Sequence, residues 1–257
     1  VDIPRLVEEK KVKEVLIAIR NISPGTLEKI VEICRECGAR YKLISSVVDL
    51  STKKIVISKV RNIETADLLG RKNISLDLSL IKSLVQGKRV IVTGAGGSIG
   101  SELCSQILDL DPSDLIMVDK GENYLYELSM SLSAREGKSK QHYILSSVTD
   151  KKKMTEVFDK FRPQLVFHAA AYKHVPLMEG HVNESVVNNI YGTQLIARLS
   201  DASKASHFVL VSTDKVVRPS SIMGMTKKLA EKYVRHYSSQ SSTRFMVVRF
   251  GNVLGSN

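Results

Sequence analysis

Three adjacent side chains able to handle protons follow an apolar run. Ser206-His207-Phe208-Val209-Leu210-Val211 reads as a strand, and Ser212-Thr213-Asp214-Lys215 then brings out a hydroxyl, a carboxylate and an amine. At the end of a parallel strand such a trio faces the crevice where ligands bind and can exchange protons with one; in a plain surface loop it is only an ion pair. Further on, Met223-Gly224-Met225-Thr226-Lys227 opens a helix running through Tyr237. A spacing of four puts Met223 and Lys227 on one helical face. Met223 carries no titratable proton. Any reaction that needs one at its place must draw it from a neighbour.

The element that must position these groups is Val90-Ile91-Val92-Thr93 followed by Gly94-Ala95-Gly96-Gly97-Ser98-Ile99-Gly100. A buried strand, a glycine turn and a helix start read this way. Glycines there let the backbone approach a pyrophosphate, whose charge then faces a helix N-terminus. The spacing Gly94-x-x-Gly97-x-x-Gly100 differs from the commoner G-x-G-x-x-G, and Gly94, Gly96 and Gly97 leave both readings open; a plain glycine turn has the same composition. Asp114-Leu115-Ile116-Met117-Val118-Asp119 is a second strand ending in an acid nineteen residues past Gly100. An Asp there accepts hydrogen bonds from an adenosine ribose and repels a 2′-phosphate, favouring NAD over NADP, while Lys120 beside it pulls the other way. Asp150, after the strand His142–Leu145, is placed to reach an adenine amino group. Ala169-Ala170-Ala171, after the strand Gln164–His168, leaves room for a flat cofactor. Candidate cofactor contacts are therefore Gly94, Gly96, Gly97, Ser98, Ile99, Gly100, Asp119, Asp150 and Ala169 through Ala171.

Strands alternating with helices at this spacing, closed by a sixth strand Arg244–Phe250, predict an α/β fold: a doubly wound parallel sheet, Rossmann-like, over residues 87–257. A smaller, partial α/β domain with its linker precedes it over residues 1–86. There Glu14–Ile19 reads as a strand, Pro24 through Cys37 as a helix capped by Ser23, and Tyr41–Ile44 as a second strand. That unit has no glycine fingerprint, so it reads as a structural or docking domain or a small-molecule regulatory site. Glu184 to Ser200 reads as one helix carrying Asn188 and Asn189.

Composition narrows the function classes. Lys and Arg total 38 against 27 Asp and Glu, a net +11 spread along the chain rather than gathered in an arm. That balance suits nucleic acid, an anionic membrane surface or anionic small molecules. Aromatics are only 5% and Trp is absent, which argues against stacking on single strands, so no nucleic-acid partner is expected. Cys34, Cys37 and Cys104 point to a reducing compartment. No second Cys pair or close His pair completes a zinc set with Cys34-x-x-Cys37, and no metal is expected. No apolar run approaches the ~20 residues of a spanning helix.

Taken together, Thr93-Gly94-x-x-Gly97-x-x-Gly100, Asp119, Ala169-Ala170-Ala171, Asn189 and a Tyr-x-x-x-Lys slot with Met223 in the Tyr place resemble the extended short-chain dehydrogenase/reductase superfamily. Thr213-Asp214-Lys215, Pro219, Met223-Gly224, Lys227 and Arg249-Phe250-Gly251-Asn252-Val253-Leu254-Gly255 are similar to nucleotide-sugar 4,6-dehydratases, more narrowly their large membrane-anchored branch in polysaccharide synthesis. The resemblance covers residues 87–257; residues 1–86 look like the end of the domain that precedes the catalytic one in that branch. It implies NAD, a UDP-N-acetylhexosamine substrate, a homo-oligomer, and a place on the cytoplasmic face of the inner membrane through an N-terminal segment outside this soluble chain. The part of the family that holds the uridine diphosphate is likewise outside it.

The implied reaction removes hydride from sugar C4, eliminates water across C5 and C6 and returns hydride to C6. In that scheme Lys215 is the base at C5, Asp214 with a raised pKa the acid on the leaving hydroxyl, Thr213 a hydrogen-bond partner of the C4 oxygen, and Lys227 the holder of the nicotinamide ribose. Deprotonation of O4 falls to Asp214, a water or a substrate phosphate. Lys173, His174, Asn189 and Asn252 are candidate substrate contacts, and Asn189 has the alternative of bridging helix and strand backbones through water. Two other readings stay open: a 4-epimerase, which needs neither Asp214 nor Lys215, and a binding scaffold without catalysis.

Overall fold

A computed structural model describes residues 2–19, 22–48, 55–61, 78–133, 135 and 138–253. The chain divides at 76/77 into two units, so the helix Leu78–Val85 falls in the second. Residues 62–77 of the linker and the motif residues Leu254 and Gly255 lie outside the described residues.

In the first unit, α1 (Ile3–Lys10) is followed by β1 (Glu14–Ile17), α2 (Pro24–Glu36), β2 (Arg40–Val48) and β3 (Ile55–Arg61). Helix α2 starts as its sequence requires: the Ser23 side chain accepts from Thr26 N–H and Pro24 occupies the first turn. Gly38 at φ +70° turns the chain after it. Strands β1 and β2 pair in parallel, and β3 returns antiparallel to β2. Ile17, Leu27 and Val31 form the core. Cys34 is fully buried, and the Cys37 thiol donates to Cys34 O at 3.5 Å, as helical thiols do.

The second unit runs α3 (Leu78–Val85), β4 (Arg89–Thr93), α4 (Ser98–Leu108), β5 (Asp114–Asp119), α5 (Glu122–Ser133), β6 (Lys140–Leu145), α6 (Lys151–Phe161), β7 (Leu165–His168), α7 (Val175–Glu179) and α8 (Val182–Val186). A π-helical turn (Val187–Tyr191), α9 (Gly192–Ala202), β8 (His207–Thr213), a 3₁₀ turn (Asp214–Val216), α10 (Ile222–Ser238) and β9 (Arg244–Phe250) complete it. Its strands pair in the order β6-β5-β4-β7-β8-β9, all parallel. The order reverses between β4 and β7, the point where open α/β sheets bind ligands.

Strand alternation explains the two layers. Val90, Val92, Leu115 and Met117 pack with Cys104, Ile107, Leu125 and Leu128 from α4 and α5. Ile91, Ile116, Val118, Val166 and Phe208 face the other way, against Met154, Phe158, Ile196 and Val234 from α6, α9 and α10. Among the described residues no helix is long and apolar enough to cross a membrane.

One element differs from the sequence reading. The single helix expected from Glu184 to Ser200 is broken by the π turn. Thr193 Oγ1, at the start of α9, donates back to Asn189 O in that turn at 2.7 Å, and Asn188 and Asn189 are both buried. Apolar periodicity registers the face of a helix but not one extra residue within it.

Candidate active site

Each glycine of the turn after β4 has its own geometric reason. Gly94 adopts φ +70°, and a Cβ on it would lie 2.5 Å from Ala170 N. A Cβ on Gly100 would lie 1.9 Å from Gly94 O, and one on Gly96 would lie 2.5 Å from Tyr124 Cβ. These three are demanded by the chain's own packing. Gly97 is different: a Cβ there would meet only Gly94 O, at 3.4 Å. It is the N-cap of α4, and no side chain caps that helix. The first-turn N–H groups at Ser98 and Ile99 therefore open on a crevice of about 210 Å³ lined by Gly94, Gly97, Ser98, Ile99, Gly100, Asp119, Lys120, Tyr124 and Ala169 through Ala171. An uncapped eleven-residue helix beside a turn without side chains suits the pyrophosphate of a dinucleotide.

Asp119 sits in this crevice with its carboxylate already braced: Oδ2 accepts from Gly96 N at 2.9 Å and Oδ1 from Gly121 N at 2.8 Å. Each oxygen keeps a lone pair for a ribose hydroxyl. Asp150 is elsewhere. It is the N-cap of α6, its carboxylate accepting from Lys153 N at 3.0 Å, and Ser146 and Val148 line the crevice at that end instead. The signal for a cap was present, since an Asp before Lys151-Lys152-Lys153-Met154 is a helix start.

Beneath the turn lies a polar chain that sequence reasoning did not single out. Thr93 Oγ1 and His168 Nδ1 are 2.6 Å apart, and His168 Nε2 is 3.0 Å from Thr193 Oγ1. Because the Thr193 hydroxyl donates to Asn189 O, it must accept from Nε2–H, so Nδ1 accepts from Thr93. Burial, and then the nearby Lys227 charge, push the fully buried His168 down to about 3. It is a neutral tie between β4, β7 and α9, and the only outward sign was a histidine closing a buried apolar strand.

Asn189 is also a tie rather than a ligand contact. It is 1% exposed; Oδ1 accepts from Tyr172 N at 2.8 Å, and Nδ2 donates to Tyr172 O at 3.1 Å and Thr226 Oγ1 at 3.2 Å. The bridge anticipated through water is made directly. His174 is an exposed residue at the N-cap position of α7, outside both crevice linings, whereas Lys173 lines them both.

The crevice continues past Ile99, Ala169 and Tyr172 into a second arm of about 200 Å³ lined by Thr213, Lys215, Met223, Lys227, Phe250, Gly251 and Asn252, among others. Met223 and Lys227 are buried on the inner face of α10. Lys227 Nζ donates to Val211 O at 2.7 Å, and burial pushes its amine down to about 8 against the upward pull of Glu231. Glu231, one turn on and 3% exposed, accepts from Ser212 Oγ at 2.5 Å and from Arg249 Nε at 2.9 Å. It pins the ends of β8 and β9 to the helix that carries Lys227.

Lys215 Nζ donates to Asn252 Oδ1 at 3.1 Å and to Asp214 Oδ1 at 3.4 Å. Asp214 lines neither arm of the crevice: its side chain, next to Lys215 and over Gly251, is 59% exposed. A raised pKa was expected for it. The Thr213 hydroxyl, donating at 3.1 Å, and then the Lys215 ammonium hold its carboxyl below the usual range instead.

Residues 90–257 match the family described as "Polysaccharide biosynthesis protein". The chain belongs to this family. It is 40% identical over 257 residues to the capsular polysaccharide biosynthesis protein CapD of Staphylococcus aureus, covering 99% of this chain and 43% of that protein. A UDP-N-acetylglucosamine 4,6-dehydratase (inverting) of Campylobacter jejuni is 29% identical over 177 residues, covering 67% of this chain and 51% of that one. The chain thus spans about half or less of the relatives it matches. In fold it resembles the dTDP-glucose 4,6-dehydratase DesIV of Streptomyces venezuelae, a structure with NAD bound, at a TM-score of 0.56 and 20% identity, covering 63% of this chain and 55% of that one. The resemblance drawn from residues 87–257 to this polysaccharide-synthesis group is borne out.

Proposed function

We propose that this polysaccharide-biosynthesis chain carries the catalytic centre of an NAD-dependent UDP-N-acetylglucosamine 4,6-dehydratase, working as a homo-oligomer at the cytoplasmic face of a bacterial inner membrane. One observation carries the reading: Thr213, Lys215, Met223, Lys227 and Asn252 line one arm of a crevice whose other arm runs along the uncapped start of α4. NAD, when bound there, supplies acceptance of a hydride from sugar C4 and its return at C6.

The residues of the chain do the rest. Gly97, Ser98 and Ile99 hold the pyrophosphate, and Asp119 the adenosine ribose. The buried Lys227 amine holds the nicotinamide ribose and sets the local field. Thr213 hydrogen-bonds the C4 oxygen. Asp214, an ionised carboxylate beside Thr213, takes the proton from O4 as hydride leaves. Having taken it, Asp214 is the acid that delivers the same proton to the C6 hydroxyl, which departs as water. Lys215, oriented by Asn252, takes the C5 proton made acidic by the new ketone and gives a proton back to C5 as hydride returns at C6. One carboxyl group therefore serves as base and then acid, and Met223 needs no proton.

The test is the product. The complete protein with UDP-N-acetylglucosamine in heavy water should release a sugar lighter by one water, with deuterium at C5 and no net NADH. Asp214→Asn and Lys215→Ala should each lower turnover by roughly 10²–10⁴-fold. The exposed position of Asp214, outside both crevice linings, also favours a second reading, a 4-epimerase that uses neither side chain. A product of unchanged mass with both variants fully active would establish that reading and end the first.

A further inference from the structure

At the end of β5 a carboxylate and a cation stand side by side, Asp119 and Lys120, and they argue for opposite dinucleotides. The side chains do not point the same way. Asp119 stays at the glycine turn, fixed by Gly96 N–H and Gly121 N–H. Lys120 reaches across the crevice: its ammonium donates to the Tyr172 hydroxyl and lies 3.7 Å from the centroid of that ring. Tyr172 belongs to the opposite wall, the segment after β7, and its main chain is clamped at both N–H and C=O by the buried amide of Asn189. Both Lys120 and Tyr172 line the dinucleotide arm of the crevice.

We infer that Tyr172 sets the dinucleotide preference of this site by holding Lys120 away from the adenosine ribose. The inference rests on the dinucleotide reading given above and deepens it. With the ammonium engaged, the braced Asp119 carboxylate sets the charge at the end of β5: it accepts from a 2′-hydroxyl and repels a 2′-phosphate. A free Lys120 would offset that repulsion at the same place, because an ammonium is a strong point-charge partner for phosphate. A cation held on an exposed phenol ring is restrained by roughly two- to fivefold, up to about thirtyfold where the contact is dry. That is enough to tilt the choice between two cofactors differing by one phosphate. Asn189 enters as the residue that fixes the position of the ring, which gives its buried amide a purpose beyond packing.

The experiment measures NAD and NADP affinity, by ligand-induced fluorescence or calorimetry, in the complete protein. Wild type should prefer NAD. Tyr172→Leu, which removes ring and hydroxyl, should raise NADP affinity relative to NAD by roughly two- to fivefold. Adding Lys120→Ala to that variant should abolish the gain, and Lys120→Ala alone should leave the wild-type preference in place. A Tyr172→Leu protein that weakens both dinucleotides equally, or gains NADP without needing Lys120, would overturn the inference while the crevice remains a dinucleotide site. A wild type that binds NADP better would do the same. A wild type that binds neither would overturn the dinucleotide reading and this inference with it.

Discussion

Two parallel strand–helix–strand units, one from each half of the chain, start their helices in opposite ways, and of the two only the second leaves its helix N-terminus open to an anion. In the first unit β1-α2-β2 is a parallel strand–helix–strand; in the second, β4-α4-β5 repeats it. At the start of α2 the Ser23 oxygen accepts from Thr26 N–H and Pro24 has no N–H to offer, so the helix end is satisfied from within. At the start of α4 the cap is Gly97, with no side chain to turn inward, and the N–H groups face the crevice. A helix N-terminus on a parallel sheet is thus not itself a site. Whether it becomes one is decided by a few residues at the turn.

The sharpest way to break the comparison is at the closest packing. Gly100→Ala should be the most damaging single change, since its Cβ would overlap the Gly94 carbonyl oxygen at 1.9 Å and both partners are backbone. We expect the second unit to lose ~3 kcal/mol or more of stability, with dinucleotide binding lost as the turn shifts. Gly25→Ala in α2, where nothing lies within 4 Å of the new methyl, is the matching control and should be neutral or slightly stabilising. Thermal or urea unfolding of the two variants reads the difference directly. Equal melting curves would show that the glycine turn relaxes at little cost.

Much of this contrast is legible in the residues themselves. Ser23-Pro24 announces a closed helix start, and Gly94 through Gly100 an open one; the strands at Val90, Asp114 and Phe208 follow from unbroken apolar runs. What escapes is which partner a polar side chain takes, near or distant. Asp150 looks like a ligand acid until Lys153 N–H is found to hold it. Asn189 looks like a substrate contact because nothing local shows that Tyr172, 17 residues away, takes both ends of its amide. The direction of the Asp214 shift depends on the hydroxyl of its neighbour Thr213 turning toward it, which is a matter of rotamer rather than of residue type. Periodicity finds faces; it does not find who pairs with whom across them.

A second change converts one helix start into the other. Gly97→Asp places a carboxylate at the N-cap of α4, where the backbone (φ −73°, ψ 164°) accepts any residue and the new Cβ has room. The side chain should take the first-turn N–H groups for itself, so the helix gains about 1 kcal/mol as the site closes. Dinucleotide affinity should fall by about a hundredfold, roughly 2.7 kcal/mol, because the donors are used and a like charge meets the pyrophosphate. The pairing of higher stability with lost binding, read by unfolding and by NAD titration, is the signature. Lower stability together with lost binding would mean that the turn had simply been damaged.

The smallest effect tests the other half of the comparison. Ser23→Ala removes the oxygen that accepts from Thr26 N–H at 3.2 Å and also the contact with Thr26 Oγ1 at 2.7 Å. The N–H group is exposed and water can replace the lost partner, so the cost should be about 1 kcal/mol, confined to the first unit. Hydrogen exchange at the first turn of α2 should quicken accordingly, while α4 and NAD affinity stay as they were. Asp restores an acceptor at the same position, so Ser23→Asp should recover the protection that Ala loses. If Ala costs nothing and Asp gains nothing, then α2 does not depend on its cap, and the two helix starts differ only in having a ligand to face, not in how the chain satisfies its own backbone.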